Sequence, residues 1–340
     1  AQRVASGKAL SGFMGMDYRT GVIVGAIIII GYTFIGGYKA VAYTDVVQGV
    51  LMLLGLILVP AAAIYASDGW SGVTASLNAQ DPTLLDMFAV TSTGIAGWVL
   101  IASFVGIGLP FMGVPQLLIR YMSARDDGEV VKARIMAVIV MIFFTAGAVT
   151  AGIAGRALFP GLEDSETIFP VISSNLFPAV ISGLLLVVVL AAIMSTVDSL
   201  LLLASSAVVR DTMQKIFGST KSERELSGYG KLVTIVIGII GIAFAIPQAQ
   251  FIFWFVLFAW SGLGAAFGPV TLGLLYYRKM TRAGVIAGML GGFLTSVIWV
   301  LVFKAQTWDL YEAIPGFAVG LLLTWGVSFL TWDEPAPAKR

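Results

Sequence analysis

The 340-residue sequence is 58% hydrophobic and only 11% charged, and its mean hydropathy is +0.95. A soluble domain of this composition would expose large apolar patches, so the composition indicates a polytopic protein embedded in a lipid bilayer. The chain has no Cys and no His, which excludes disulfides and thiol sites and argues against zinc, haem and His-based catalytic sites. The net charge of +1 excludes a nucleic-acid partner, and no obligatory protein partner is evident.

Nine apolar segments predict membrane-spanning helices separated by polar or Gly- and Pro-containing turns. The first two are separated only by a short turn at Lys39. The polar stretch at 67–92 has room for a short surface helix. We expect the nine spans at about 21–37, 45–66, 94–118, 133–158, 179–210, 232–245, 251–276, 284–303 and 316–330.

The distribution of Lys and Arg predicts the orientation of these spans. If the loops after the odd-numbered spans are cytoplasmic, they hold 15 of the 20 basic residues. Such an excess follows the positive-inside rule. We therefore expect a multi-pass protein of the plasma (inner) membrane with a cytoplasmic C-terminus. The five basic residues left on the opposite side are Arg3, Lys8, Arg19, Arg156 and Lys304.

The third span contains an unusual density of helix breakers. Non-helical backbone at membrane depth is tolerated where it is buried in protein or lines a cavity, and its carbonyls are then available to a ligand. The alternative is a proline kink repaired by neighbouring helices. The seventh span has small residues four apart, at Gly264 and Gly268, which permit close helix packing. The breakers of the third span are Gly106, Gly108, Pro110, Gly113 and Pro115.

The fifth span carries a hydroxyl-rich patch within the stretch 190–210, which contains no Gly or Pro. Ala192, Ser195 and Thr196 stand at i, i+3 and i+4, so they share one helix face. Two hydroxyls and a nearby carbonyl make an oxygen-only pocket of the kind that a hard cation prefers. The alternative is ordinary packing, with both hydroxyls bonded back to their own helix.

Four sequence motifs follow one another along the chain: YTFIGGYKAVAYTDVVQGVLM (32–52), PQLLIRYMSA (115–124), MSTVDSLLLLASS (194–206) and FAWSGLGAAFGP (258–269). Together they resemble the sodium:solute symporter family, and most closely its sodium/proline branch. They keep their order over essentially the whole chain, and the likeness implies an all-α leucine-transporter fold with two inverted repeats. The family has thirteen spans, of which this chain is expected to hold the last nine. The chain would then be one transporter domain (1–340), with the end of the first repeat at 19–66, the second repeat at 94–276 and two peripheral helices at 282–332.

The resemblance implies a co-transported sodium ion bound by the Ala192 carbonyl and the hydroxyls of Ser195 and Thr196. The remaining carbonyl ligands would come from the broken helix of the first repeat, which the chain lacks. Asp45 matches a family aspartate that lies near this site, although an acid there is also explained as an N-terminal helix cap. Asp198 lies on another face, where it could hold a second cation; pairing with a cytoplasmic Arg is the favoured expectation.

The resemblance also places the solute at the broken third span. In the sodium/proline branch a Trp and a Tyr line the solute pocket, and the matching positions here are Ile107 and Phe111. This difference predicts a more apolar pocket and weakens the case for proline itself. The alternative for these residues is ordinary packing in a helix bundle. The full set of candidates for the cavity is Ile107, Phe111, Met112, Gly113, Pro115, Trp260 and Ser261.

These features predict a sodium-coupled symporter of a small organic solute, such as proline, another amino acid or a small carboxylate. One alternative is a proton-coupled transporter of the same fold, with Asp45 as the proton carrier. Another is a transporter-like solute sensor. An intramembrane enzyme is disfavoured, because the chain offers no His, no Cys and no paired-acid motif for catalysis.

Overall fold

The computed structural model describes residues 2–86, 95–245 and 252–332, apart from the side chains at 32, 35–40 and 255. Regular secondary structure in these ranges is helical throughout, as the sequence predicts. The chain divides into two compact units. The first comprises Ala1–Leu85 and Asp126–Ile252, and the second comprises Asp86–Arg125 and Phe253–Arg340. The α-helices are α1 (Gln2–Met14), α2 (Tyr18–Ala66), α3 (Gly69–Gln80), α4 (Ile95–Gly106), α5 (Pro115–Met122), α6 (Asp127–Leu158), α7 (Ile168–Leu176), α8 (Ala179–Ser206), α9 (Glu223–Ala245), α10 (Ile252–Tyr276), α11 (Arg282–Ile298) and α12 (Ala313–Leu330).

Eight helices within the described ranges are long and apolar enough to cross a membrane. A ninth is obtained if the pair Gln2–Met14 and Tyr18–Gly31, bent by 115°, counts as one broken span. The sequence predicts nine spans, and the two counts agree when the bent pair is included. The chain is therefore a multi-pass membrane protein.

The predicted turn at Lys39 is wrong. Helix α2 runs without interruption for 49 residues, from Tyr18 to Ala66, with Pro60 inside it. At about 1.5 Å per residue such a helix is more than twice as long as the hydrocarbon core is thick, and its Val41–Ala66 part alone qualifies as a span. The turn was inferred from a Gly pair and one Lys; a Gly costs a helix only about 1 kcal/mol, and no Pro stands there to stop it.

The third predicted span is broken where its Gly and Pro residues lie. Helix α4 ends at Gly106, a 3₁₀ turn covers Leu109–Met112, and α5 begins at Pro115. Pro115 occupies the first turn of α5, where its missing N–H costs nothing. The breakers therefore produce a true interruption rather than a kink.

Two helices begin earlier than the apolar pattern predicts. Helix α6 starts at Asp127, because the Asp126 carboxylate caps it by accepting from the Glu129 N–H at 2.9 Å. Helix α9 starts at Glu223 with acidic residues in its first turn, which complement the helix dipole. Polar residues at the N-termini therefore extend both helices into segments for which hydropathy alone predicts a loop.

Helix α1 is absent from the sequence prediction, since its mixed composition gives no apolar run. It packs instead through small residues against α2. A Cβ added to Gly25 would stand 2.6 Å from the Ser6 Cβ, so only Gly permits this approach. The short surface helix expected within 67–92 is present as α3.

The first unit has two main apolar clusters. One joins α2, α3, α6 and α7 around Val59, Val73 and Ile172. The other joins α1, α2 and α8 around Ile29, Ile193 and Val197, which fixes α8 against α2. In the second unit α11 and α12 pack through glycines, because a Cβ at Gly284 or Gly288 of α11 would press on Ser328 or Thr324 of α12.

Candidate functional site

The hydroxyl patch predicted on α8 forms one cluster of oxygens. Ser195 Oγ donates to the Ala192 carbonyl at 3.1 Å, and Thr196 Oγ1 donates to the same carbonyl at 3.3 Å. The proton of each hydroxyl points at the Ala192 carbonyl. The lone pairs of the hydroxyl oxygen therefore point the other way, into the space beside the helix. The back-bonding that the packing alternative expects is thus present. A hydroxyl that donates its proton keeps lone pairs with which it can also bind a cation, so the sodium site stays a prediction.

Ala192 also lines a cavity of about 310 Å³ between α1, α7 and α8. The wall is apolar around Ala5, Ala9 and Ile193, and polar where Lys8 lies. Lys8 Nζ is paired with Glu166 at 2.7 Å and with Asp164 at 2.8 Å. At the polar end of the cavity beside Ala192, one ammonium group therefore meets two carboxylates, which leaves a net negative charge.

Asp198 is fully buried, and the expected pairing with a cytoplasmic Arg is wrong. Its Oδ1 accepts a hydrogen bond from Thr33 Oγ1 on α2. Its Oδ2 is buried without a hydrogen-bond partner in the part of the chain that the structure describes. Arg210 lies twelve positions further on, about 18 Å along a helix, and points its guanidinium at Glu223 instead. The carboxylate thus stays inside the bundle, directed at α2.

Asp45 belongs to the same region as Asp198. It lies in the middle of α2, so the alternative that it caps a helix N-terminus is excluded. Its side chain is half-buried, and it lies close enough to Asp198 for the two carboxyl groups to interact electrostatically. Two acidic groups within interacting distance inside a bundle create a negative potential that favours a cation.

Sequence reasoning missed Thr33. The residue is buried, and its hydroxyl lies between the Ile29 carbonyl, at 2.8 Å, and the carboxylate of Asp198. A single Thr in an apolar helix is an ordinary packing residue by sequence. Only the contact between α2 and α8 makes it a partner of Asp198.

In the second unit, two of the residues proposed to line the solute cavity touch each other. The rings of Phe111 and Trp260 meet edge to face, with centroids 4.9 Å apart and planes at 74°. The close approach of the broken segment to α10 depends on glycines, since a Cβ at Gly264 would stand 2.7 Å from the Pro110 Cγ. Gly113 is likewise buried against the backbone of Gly268. The broken segment therefore packs directly against α10.

The other candidates have different surroundings. Ile107 packs against Leu257, Tyr311 and Ala313, as expected for an ordinary core residue. Met112 is exposed and Pro115 is half-buried at the start of α5.

Ser261 is fully buried, and its hydroxyl interacts with the Phe258 carbonyl at 2.8 Å and with Glu312 Oε1 at 3.3 Å. Its hydroxyl is therefore occupied by protein groups. Among the candidate residues, Phe111 and Met112 have exposed surface beside the break.

The model of the sodium:solute symporter family matches residues 1–292. The chain belongs to this family. A sodium/proline symporter of Staphylococcus aureus (strain USA300 / TCH1516) is 38% identical over 340 residues, and the same protein of strain JH9 is equally similar. These alignments cover 96% of this chain and 65% of each relative, so the chain spans about two thirds of their length.

A solved structure of a Na⁺-coupled sialic acid symporter, in a substrate-bound outward-open state with a novel Na⁺ site, is similar in fold. The TM-score is 0.72 at 24% identity, and the match covers 99% of this chain and 71% of that one. The family's fold, a leucine-transporter-like helical bundle, is thus the fold of this chain. The family is one of transporters, so the chain is not an enzyme.

Proposed function

We propose that the protein is a sodium-coupled symporter that takes up a small organic solute by alternating access. The observation that carries the proposal is the oxygen cluster of Ala192, Ser195 and Thr196 on α8, with the buried carboxylate of Asp198 two residues beyond Thr196 on another face of the helix. Family membership and the sodium-coupled activities for which the relatives are named support the same activity.

The composition of the cluster suits sodium. Neutral hydroxyl and carbonyl oxygens are ligands for hard cations, whereas nitrogen and sulfur ligands would favour transition metals. Ser195 and Thr196 supply no net charge, so the ion is held weakly enough to leave. Asp198 and Asp45 add a negative potential at a distance, which draws a cation towards α8 without trapping it.

The solute is proposed to bind at the broken segment between α4 and α5. The interruption leaves backbone carbonyls outside regular α-helix, and the Phe111–Trp260 pair offers an apolar wall. The relatives named sodium/proline symporters make proline the first solute to test. Other small amino acids and short carboxylates follow, since Ile107 and Phe111 make the position more apolar than in the sodium/proline branch.

Coupling follows from linkage between the two ligands. If sodium and solute both favour the same occluded state, each raises the affinity of the other by the same factor. Movement of one positive charge inward along the membrane potential adds about 2.3 kcal/mol per 100 mV to the driving force. A sodium gradient adds to this term.

Tracer uptake into proteoliposomes of the full-length protein tests the proposal. Proline, other small amino acids and short carboxylates are offered with and without an inward sodium gradient. We expect sodium to stimulate uptake of at least one of them. Uptake that ignores sodium, for every solute offered, would contradict the proposal.

Proton coupling is a second candidate, favoured by one observation. Asp198 is fully buried and its Oδ2 has no hydrogen-bond partner among the described residues, so it is a group that could carry a proton. Asp45 lies within interacting distance of it. Uptake driven by an inward pH gradient at constant sodium would replace sodium by a proton in the proposed mechanism.

A further inference from the structure

Residues 304–312, which connect α11 to α12, contact one face of α10 at three points. Lys304 Nζ lies 5.6 Å from the centroid of the Trp254 ring, and the Tyr311 hydroxyl donates to the Leu257 carbonyl at 3.1 Å. Glu312 Oε1 accepts from Ser261 at 3.3 Å. The contacted positions 254, 257 and 261 follow the i, i+3, i+7 spacing of a single helix face. We call residues 304–312 the 304–312 clamp.

The same segment also holds α4. The backbone N–H of Tyr311 donates to Ser103 Oγ at 3.0 Å, within α4 and one turn before its end at Gly106. The Ile314 side chain of α12 lies against Gly106, where an added Cβ would stand 2.6 Å from its Cγ1. The clamp therefore contacts both helices that lead to the Phe111–Trp260 pair.

Glu312 is the centre of the clamp. Its side chain is 2% exposed, and its two carboxylate oxygens are divided between two partners: Oε2 accepts from Lys304 at 2.8 Å and Oε1 from Ser261. Its backbone carbonyl accepts from Ser296 of α11 at 3.3 Å. A buried ion pair of this kind is weak evidence for stability, but it fixes geometry because each partner must stay in place to satisfy the other.

The backbone of the clamp is held in an unfavourable conformation. Trp308 and Asp309 are consecutive non-glycine residues with φ of 51° and 58°. Such left-handed residues persist where the surrounding contacts determine the conformation, and they are found preferentially at functional positions. The hydrogen bonds from the Asp309 N–H to the Lys304 carbonyl, at 3.1 Å, and from the Leu310 N–H to the Thr307 carbonyl, at 3.1 Å, close the turn.

We propose that Glu312 is a positioning residue for the solute site. Through Ser261 it fixes the rotation of α10 about its axis, and this rotation directs the adjacent Trp260 at Phe111 on the broken segment. The inference rests on the proposed function, because Phe111 and Trp260 are its candidates for the solute cavity. Glu312 itself does not touch the solute.

The test is solute uptake by full-length Glu312→Gln, with the amount of protein in the membrane measured in parallel. The amide keeps the size of the side chain but removes the charge-assisted bonds to Lys304 and Ser261, while Lys304 is partly exposed and can turn to water. We expect the KM for the solute to rise roughly 3- to 10-fold, the effect of one lost hydrogen bond, with the maximal rate per transporter kept within about twofold. Asp211→Asn, the same chemical change in the exposed Lys215–Asp211 pair, serves as the matched control and should leave the KM unchanged.

A double-mutant cycle with Ser261→Ala separates positioning from general destabilisation. If Glu312 acts through Ser261, Glu312→Gln should raise the KM little further in the Ser261→Ala background. A fully additive effect, or a lower maximal rate with an unchanged KM, overturns the positioning role. Absence of sodium-stimulated uptake by the unmodified protein overturns the proposed function and this inference with it, whereas normal uptake with an unchanged KM in Glu312→Gln overturns the inference alone.

Discussion

At the scale of single residues, the oxygen cluster on α8 is the feature most directly open to test. Replacing Ser195 and Thr196 together by Ala removes both hydroxyl oxygens and leaves the Ala192 carbonyl. We expect the sodium concentration needed for half-maximal uptake to rise tenfold or more, which corresponds to about 1.4 kcal/mol. A sodium titration of uptake by the full-length variant measures this.

Ser182→Ala is the control for that variant, because it removes a hydroxyl from the same helix more than three turns before Ser195. It should leave the sodium dependence unchanged. If the double variant behaves like Ser182→Ala, the cation does not bind at this cluster.

The carboxylate of Asp198 gives a second prediction at this scale. Asp198→Asn keeps an oxygen that accepts from Thr33 but removes a buried negative charge. At a separation of a few ångströms to ten ångströms, the lost attraction to a cation is on the order of 1 kcal/mol, so the half-maximal sodium concentration should rise about fivefold. Uptake measured over a range of sodium concentrations gives the shift.

Thr33→Val is the contrasting variant, since it removes the hydrogen bond and leaves the charge. It leaves the buried Asp198 Oδ1 without its hydrogen bond, which should lower the stability by about 1–3 kcal/mol and so lower the melting temperature. The change in sodium dependence should be smaller than that of Asp198→Asn. The reverse pattern, in which Thr33→Val shifts the sodium dependence and Asp198→Asn does not, would show that the charge has no part in binding the cation.

At the scale of helices, the broken segment was predictable and its surroundings were not. Five Gly and Pro residues within ten positions determine locally that the helix is interrupted. What lies against the break depends on how α10 approaches it, and this approach is fixed by contacts such as Gly264 on Pro110. The environment of Asp198 escaped prediction for the same reason, because Thr33 is 165 residues away in sequence.

The close approach of α10 predicts the effect of a single methyl group. In Gly264→Ala the new Cβ would stand 2.7 Å from the Pro110 Cγ, and neither a proline ring nor a packed helix can yield easily. We expect a loss of about 1–3 kcal/mol of stability, the usual cost of overpacking. Thermal unfolding of the purified protein in detergent measures this.

Gly152→Ala in α6 is the matched control, because no atom lies within 4 Å of its added Cβ. There the higher helix propensity of Ala should stabilise the protein by up to about 1 kcal/mol. Equal melting temperatures for the two variants would mean that α10 and the broken segment are not as close as the structure has them.

At the scale of the whole molecule, the sequence predicts how many segments cross the membrane and which side they face, because hydropathy and Lys and Arg counts are properties of segments. It does not predict that α2 is continuous, nor the ion pairs that join distant loops. Lys8 contacts Asp164 and Glu166, which requires the N-terminal residues and the loop between α6 and α7 to lie on one side of the membrane. The charge distribution places both of them on one side, as the pairing requires, and which side faces the cytoplasm stays a prediction.

The absence of Cys makes this orientation directly testable, since any introduced Cys is the only thiol in this chain. Glu163→Cys stands in the loop between α6 and α7, and Thr220→Cys stands in the linker before α9; both positions are exposed. In intact cells a membrane-impermeant maleimide should label Glu163→Cys and leave Thr220→Cys unlabelled. Permeabilised cells, in which both should react, provide the control for accessibility.

The outcome also bears on the direction of coupling. In the predicted orientation Arg210, Lys215 and Lys221 follow the cytoplasmic end of α8, and the Lys8 pairs lie beside the cavity that Ala192 lines. Sodium that enters from outside would then reach Ala192 before Asp198, moving inward along the membrane potential. Labelling of Thr220→Cys from outside would mean that the chain has the opposite orientation. Sodium entering from outside would then reach Asp198 before Ala192, and the proposed direction of uptake would be wrong.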